Sequence, residues 1–124
     1  MSGMRVLLVD DELSSAEVLA LVLAGEGYEV TVAADARQAL ARLDEAAPDL
    51  LVADFMMPGM NGADLARAIR ERPRYQHIPV LLISGAPESA LASYRPRYDA
   101  FLRKPFGLQQ FLSVLQSLQE TPQG

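Results

Sequence analysis

The sequence predicts an α/β domain: a doubly wound, five-stranded parallel sheet between two layers of helices. Three observations carry this. Short apolar, β-branched-rich runs alternate with longer segments of helical spacing, giving a strand–helix unit repeated five times. The central runs are continuously apolar rather than alternating, as expected of strands covered on both faces and so of a parallel sheet. The 124 residues hold one domain, with little room for a second. Right-handed crossovers then leave few topologies, and the doubly wound sheet fits them.

The elements follow in order. The first strand, Val6–Val9, runs into Asp10-Asp11-Glu12. A helix over Leu13–Ala24 places Val18, Leu19, Val22 and Leu23 on one stripe, with Ser14 and Glu17 as a weak capping box and Gly25 and Gly27 as a left-handed stop. After the strand Val30–Ala33, Asp35 and Gln38 make a stronger capping box for a helix over Ala36–Ala46, which carries Ala36, Ala39, Leu40 and Leu43 on one side and halts at Pro48. The third strand, Leu50–Ala53, is followed by a helix over Ala63–Arg72 with Leu65, Ala66 and Ile69 together and Pro73 as its stop. Val80–Ile83 and Ala100–Leu102 are the last two strands. The final helix, Leu108–Leu118, lines up Leu108, Phe111, Leu112, Leu115 and Leu118. A single domain over 1–124 is expected, with its core in 4–119 and a frayed tail or linker start in 120–124.

Composition excludes several function classes. Sixteen acids against eleven bases give a net charge of −5, which disfavours non-specific attachment to nucleic acid or an anionic membrane. The absence of cysteine excludes disulfides and thiolate metal sites, and agrees with a reducing cytoplasm. The longest apolar run, Val18–Ala24, is far too short to span a bilayer, and acids follow the first strand at once where a signal peptide would be apolar. A cytoplasmic location is the expectation.

Chemistry gathers where such a sheet binds ligands, beyond the carboxyl ends of its strands. The first strand delivers Asp10, Asp11 and Glu12 there, the third Asp54, the fourth Ser84 and Gly85, and the fifth Lys104 and Pro105. Any one acid at a strand end is ordinarily a solvated loop residue, but all of these on one rim are not. Three carboxylates in one crevice repel one another, and a hard divalent cation such as Mg²⁺ relieves that. Ser84 and Lys104 add donors for an incoming anion, and a phosphate bridging metal, hydroxyl and ammonium fits them all. One carboxylate can then act as nucleophile toward phosphorus.

Asp10-Asp11, Asp54 with Met57-Pro58-Gly59-Met60-Asn61-Gly62, Ser84-Gly85-Ala86 and Lys104-Pro105-Phe106 together resemble the receiver domain of bacterial two-component response regulators. The resemblance runs from Met4 to Leu118 and its motif set is highly specific. It implies a flavodoxin-like sheet of order 2-1-3-4-5 with five helices. It implies Asp54 as phosphoacceptor, Asp10 and Asp11 as the Mg²⁺-binding pair (Asp11 directly, Asp10 through water), and the Met56 carbonyl as a further ligand. Lys104 would pair with the phosphoryl oxygens and Ser84 would hydrogen-bond them. Phe101 stands where the family carries its rotameric aromatic. The implied partners are a histidine kinase or phosphotransfer protein upstream. Downstream is a protein target bound through the fourth helix, fifth strand and fifth helix, with no direct nucleic-acid or membrane contact. The protein would be a switch, not an enzyme beyond its own aspartyl phosphorylation and dephosphorylation. Lacking a phenol oxygen, Phe101 implies a switch driven by packing alone.

The chain also departs from the family. Between Ser84 and Lys104 it is about two residues shorter than usual, Pro96 interrupts the fourth helix, and Arg97-Tyr98 replaces the common Gly-Ala before the fifth strand. A short or irregular fourth helix is expected, and with it an unusual output face. Met56 and Ala86 flank the phosphoryl site, and neither can orient a water, so slow self-dephosphorylation is expected. His77, the lone histidine, is expected at the surface. Arg70 and the paired segments Arg72-Pro73-Arg74-Tyr75 and Arg95-Pro96-Arg97-Tyr98 read as helix-end chemistry rather than a partner patch. Tyr94 and Tyr98 are either core cover or partner contacts.

Three rival readings are weaker. A haloacid-dehalogenase-type phosphohydrolase needs a second aspartate two residues after its nucleophile, where this chain has Met56. A flavodoxin would cradle a flavin phosphate in its first loop, which Asp10-Asp11-Glu12 would repel. A receiver-like interaction module that works without phosphorylation is the serious alternative, but such modules usually lack part of the acid–lysine set that this chain keeps.

Overall fold

The computed structural model describes residues 4–94 and 98–120. Five parallel strands, β1 (Arg5–Val9), β2 (Glu29–Ala33), β3 (Leu50–Asp54), β4 (Val80–Ser84) and β5 (Ala100–Arg103), form one sheet in the order β2-β1-β3-β4-β5. The α-helices are α1 (Leu13–Gly25), α2 (Ala36–Ala41), α3 (Leu43–Ala46), α4 (Gly62–Arg70) and α5 (Leu108–Glu120). This is the flavodoxin-like sheet expected from the motifs, and each expected strand lies within an observed one. Residues 95–97 and 121–124, with Pro96 and the expected tail, lie outside the described residues.

The apolar runs explain the layers. β3 and β4 are buried at every position and β1 from Val6 onward, whereas the edge strands β2 and β5 are only partly covered. Alternate residues feed two cores. One face meets α2, α3 and α4 around Leu7, Leu51, Leu65, Ile69 and Leu82; the other meets α1 and α5 around Leu8, Leu23, Val52, Leu81 and Phe111. Each fully buried leucine or phenylalanine contributes about 2–3 kcal/mol.

Local chemistry sets the helix limits. Asp35 caps α2, its Oδ1 accepting the Gln38 N–H at 2.8 Å, while the Gln38 side chain reaches back one residue past the expected position to the Ala34 N–H. Asn61 caps α4 in the same way through the Asp64 N–H. After α1, Gly27 takes a φ of 94°, the left-handed turn that the glycine pair predicts.

Three details correct the expectations, and a fourth bears one out. The weak capping box at Ser14 does not form: α1 begins behind Glu12, whose carboxylate is held by the Ser15 hydroxyl. Val18 lies on the exposed side of α1 and Leu108 at the exposed start of α5, because the helix phases that bury Leu19 with Leu23, and Phe111 with Leu115, turn them outward. The expected helix over Ala36–Ala46 breaks at Arg42, whose guanidinium turns to the Val32 carbonyl on the open edge of β2. The segment before β5 winds as a 3₁₀ helix over Glu88–Tyr94, as the shortened sequence implies. The reason is reach: seven residues of 3₁₀ helix cover about 14 Å, against about 10 Å in an α-helix.

Candidate functional site

Every element end that the sequence singles out converges at the carboxyl edge of the sheet. β1 hands over Asp10 and Asp11, β3 ends in Asp54, β4 in Ser84, and β5 leads to Lys104. One carboxylate oxygen from each of Asp10, Asp11 and Asp54 lies within 4.8 Å of the others. Asp10 and Asp54 are buried and Asp11 is exposed, so the cluster is open on one side.

Hydrogen bonds hold these groups in place. Asp10 Oδ1 accepts the Glu12 N–H at 2.9 Å, and Asp54 Oδ1 accepts the Met56 N–H at 3.1 Å. Lys104 Nζ donates to Asp54 Oδ2 at 2.9 Å and lies 3.8 Å from Asp10 Oδ2. The Lys104 backbone N–H bonds the Ser84 carbonyl, which seats the two residues side by side, and the fully buried Ser84 hydroxyl accepts the Ala86 N–H. The Lys104–Pro105 peptide is cis.

The electrostatics follow from this crowding. Burial pushes the Asp10 carboxyl above its ordinary value; the Glu12 N–H and the Lys104 charge pull it back, the Asp54 and Asp11 charges add to the rise, and the net is upward. Burial alone would lower the Lys104 ammonium. The hydrogen bond and charge of Asp54, with the charges of Asp10 and Glu12, outweigh that and raise it. Three carboxylates against one ammonium leave an excess of negative charge in a part-buried pocket. Hard oxygen donors of this kind suit Mg²⁺, and the donor set fits it.

The loop that follows Asp54 is closed by a bond from the Gly62 N–H to the Phe55 carbonyl. Gly62 is required there, since a Cβ would stand 2.5 Å from the Asp54 carbonyl oxygen and 3.1 Å from Leu82. Beside the acids, a groove of about 460 Å³ runs between α1 and the start of α5, lined by Ser15, Val18, Leu19, Pro105, Phe106 and Leu108.

The sequence-predicted residues divide clearly. Asp10, Asp11, Asp54, Ser84 and Lys104 meet at one place. Met56 flanks them with its side chain exposed and its N–H on Asp54. Phe101 is half-buried opposite Leu82 and packs into the core face that contains Leu91. His77 is exposed. Arg70 bonds the Ile78 carbonyl and Asp99 at the opposite end of the sheet, while Arg95 and Arg97 lie outside the described residues. Tyr94 and Tyr98 both pack against the core. Two residues that the sequence places at the site act in ways it does not foretell: Glu12, through its backbone N–H, and Asn61, which caps α4 and also reaches Tyr94. An Asn-Gly directly before an apolar-periodic run was the available signal for the second.

Comparison with known proteins agrees with this geometry. A family model described as the response regulator receiver domain matches residues 6–116. The DNA-binding response regulator MtrA of Mycobacterium tuberculosis is 36% identical over 104 residues, 82% of this chain and 44% of MtrA. The chain thus spans less than half the length of that curated relative. The chemotaxis response regulator CheY4 of Vibrio cholerae superposes with a TM-score of 0.84 at 32% identity, over 94% of this chain and 99% of CheY4. The response regulator TrrA of Thermotoga maritima, solved in complex with Mg²⁺–BeF, gives 0.82 at 27% identity, over 95% of this chain and 99% of TrrA. The chain belongs to the response regulator receiver domain family.

Proposed function

We propose that this chain is a phosphoacceptor switch that takes a phosphoryl group on Asp54 from a histidine kinase or phosphotransfer protein. The observation that carries the reading is the set Asp10, Asp11, Asp54 and Lys104 on one rim, with Lys104 Nζ 2.9 Å from Asp54. An Asp54 carboxylate oxygen attacks phosphorus. The P–N bond to the donor imidazole breaks, and its electron pair leaves with the imidazole. Mg²⁺, held by Asp10, Asp11, Asp54 and the Met56 carbonyl, would neutralise the phosphoryl oxygens as charge builds on them. Lys104 moves from the carboxylate to a phosphoryl oxygen, and Ser84 exchanges its bond from Ala86 for one to the same group. The donor has a place to dock. Leu13, Val18, Leu108, Met56 and Met60 are large apolar side chains exposed on or beside the site-bearing loops and the adjoining groove.

The phosphoryl group adds charge beside Ser84 and Lys104, draws the β4–β5 side of the site inward and lets Phe101 follow. Segment 88–94, β5 and α5 then present a changed face to a protein target. Direct nucleic-acid contact is not part of this reading. MtrA is named as DNA-binding, but this chain matches 44% of it. Among the described residues no helix is long and apolar enough to cross a membrane.

Intact-mass spectrometry after incubation with acetyl phosphate tests the reading. A single adduct that requires Mg²⁺ and is absent in Asp54→Asn is the expected result. No adduct with Mg²⁺ present would instead favour the phosphorylation-independent module. The side chains of Met56 and Ala86 cannot orient an attacking water, so the adduct should be long-lived. Its lifetime should fall at least several-fold, on the scale of general-base assistance, in a Met56→Asn/Ala86→Glu variant.

A further inference from the structure

Tyr94 closes the 3₁₀ segment 88–94 and touches both ends of the loop that follows the acceptor. Its ring meets Phe55 edge-on, with centroids 5.2 Å apart. Its hydroxyl accepts a hydrogen bond from Asn61 Nδ2 at 3.3 Å. Phe55 opens the loop directly after Asp54, and Asn61 ends it as the cap of α4. Between them lies Met56, whose N–H holds Asp54. The far end of the segment is tied separately: Glu88 accepts the Tyr98 hydroxyl at 3.1 Å, and Leu91 is fully buried in the middle. Among the described residues, the Tyr94 contacts tie segment 88–94 to the acceptor loop, and the Glu88–Tyr98 bond ties its far end elsewhere.

We infer that Tyr94 is a latch between the acceptor loop and segment 88–94, closed in the resting state and released when Asp54 carries a phosphoryl group. The inference rests on the receiver reading above and extends it. Ser84 leads through Gly85–Pro87 into segment 88–94, so drawing Ser84 toward a phosphoryl group pulls the segment along while Asn61 stays fixed as the cap of α4. The Asn61–Tyr94 bond is what that displacement breaks. Phe101 has no hydroxyl to report the change, and Tyr94 supplies one at a different position. Because coupling is reciprocal, a partner that seizes segment 88–94 and opens the latch also favours the loaded acceptor.

Titration of the whole chain with beryllofluoride and Mg²⁺, a phosphoryl mimic, followed through backbone amide NMR, tests the latch. Tyr94→Phe keeps the ring and removes the hydroxyl. Asn61→Ser keeps a capping oxygen but is too short to reach Tyr94. Each should tighten beryllofluoride binding about two- to tenfold, the range for losing one resting-state hydrogen bond. The double variant should gain no more than either single change. Tyr98→Phe, which touches the far-end bond, should leave the affinity unchanged. In the unliganded Tyr94→Phe protein the Glu88–Tyr94 amides should shift toward their beryllofluoride-bound positions. Unchanged affinity in both variants, or independent and additive gains, would overturn the latch. Failure of the unaltered chain to bind beryllofluoride would instead overturn the phosphoacceptor reading beneath it.

Discussion

Aspartates stand at both ends of the sheet and behave in opposite ways. At the amino end each one is paired off. Asp49 Oδ2 takes the Arg5 N–H at the start of β1, and Asp99 Oδ2 takes the Val80 N–H at the start of β4 together with the Arg70 guanidinium at 2.6 Å. At the carboxyl end Asp10, Asp11 and Asp54 crowd within 4.8 Å, and Lys104 contacts only two of them. The same residue type closes the fold at one end and strains it at the other. The difference is crowding: Asp10 and Asp54 each take one backbone N–H, but the three clustered carboxylates face a single ammonium, Lys104. Concentrating repulsion at one rim leaves that rim ready for a cation.

The largest expected effect breaks the closed side of the carboxyl end. Gly62→Ala puts a methyl group against the Asp54 carbonyl and should cost about 3 kcal/mol in urea unfolding. Asp99→Ala comes next. It strands the Val80 N–H and the Arg70 guanidinium and should cost about 1–2 kcal/mol, held to that range by the partial exposure of the pair. At the other rim the sign reverses. Asp10→Asn removes one of the crowded charges and should stabilise the metal-free protein by about 1 kcal/mol near neutral pH.

The pH dependence of that last effect sharpens the contrast. The folded-state pKa of Asp10 is raised above its ordinary 3.8, burial being the leading cause. Its contribution to stability is therefore complete below that ordinary value and is lost as pH rises through the raised one. The gain from Asp10→Asn should be near zero below pH 3.8, grow from there up to the raised folded-state value, level off above it, and shrink again on adding Mg²⁺. Thermal unfolding across pH, with and without Mg²⁺, measures it. A gain that is constant with pH would place the effect in packing rather than in charge.

Much of this protein was legible in its residues. β1, β3 and β4 were readable because strands covered on both faces need uninterrupted apolar runs, and Val6–Val9, Leu50–Ala53 and Val80–Ile83 are such runs. The site was readable because the carboxyl ends of parallel strands converge, so Asp10, Asp54, Ser84 and Lys104 had to meet once the topology was known. Helix phase was harder. Val18 and Leu108 are as apolar as their buried neighbours, and nothing local tells which side of α1 or α5 faces the sheet.

The sequence by itself determined the fold class and the acid–lysine set, since hydrophobic period and strand-end chemistry are local properties of the chain; the strand order followed only from the resemblance that its motifs carry. Only the tertiary structure decided the break at Arg42, the pairing of Arg70 with Asp99, and the contacts of Tyr94 with Phe55 and Asn61. Each of those joins residues between 10 and 39 positions apart in the chain. Their energies depend on where packing brings two side chains together, which no local pattern encodes.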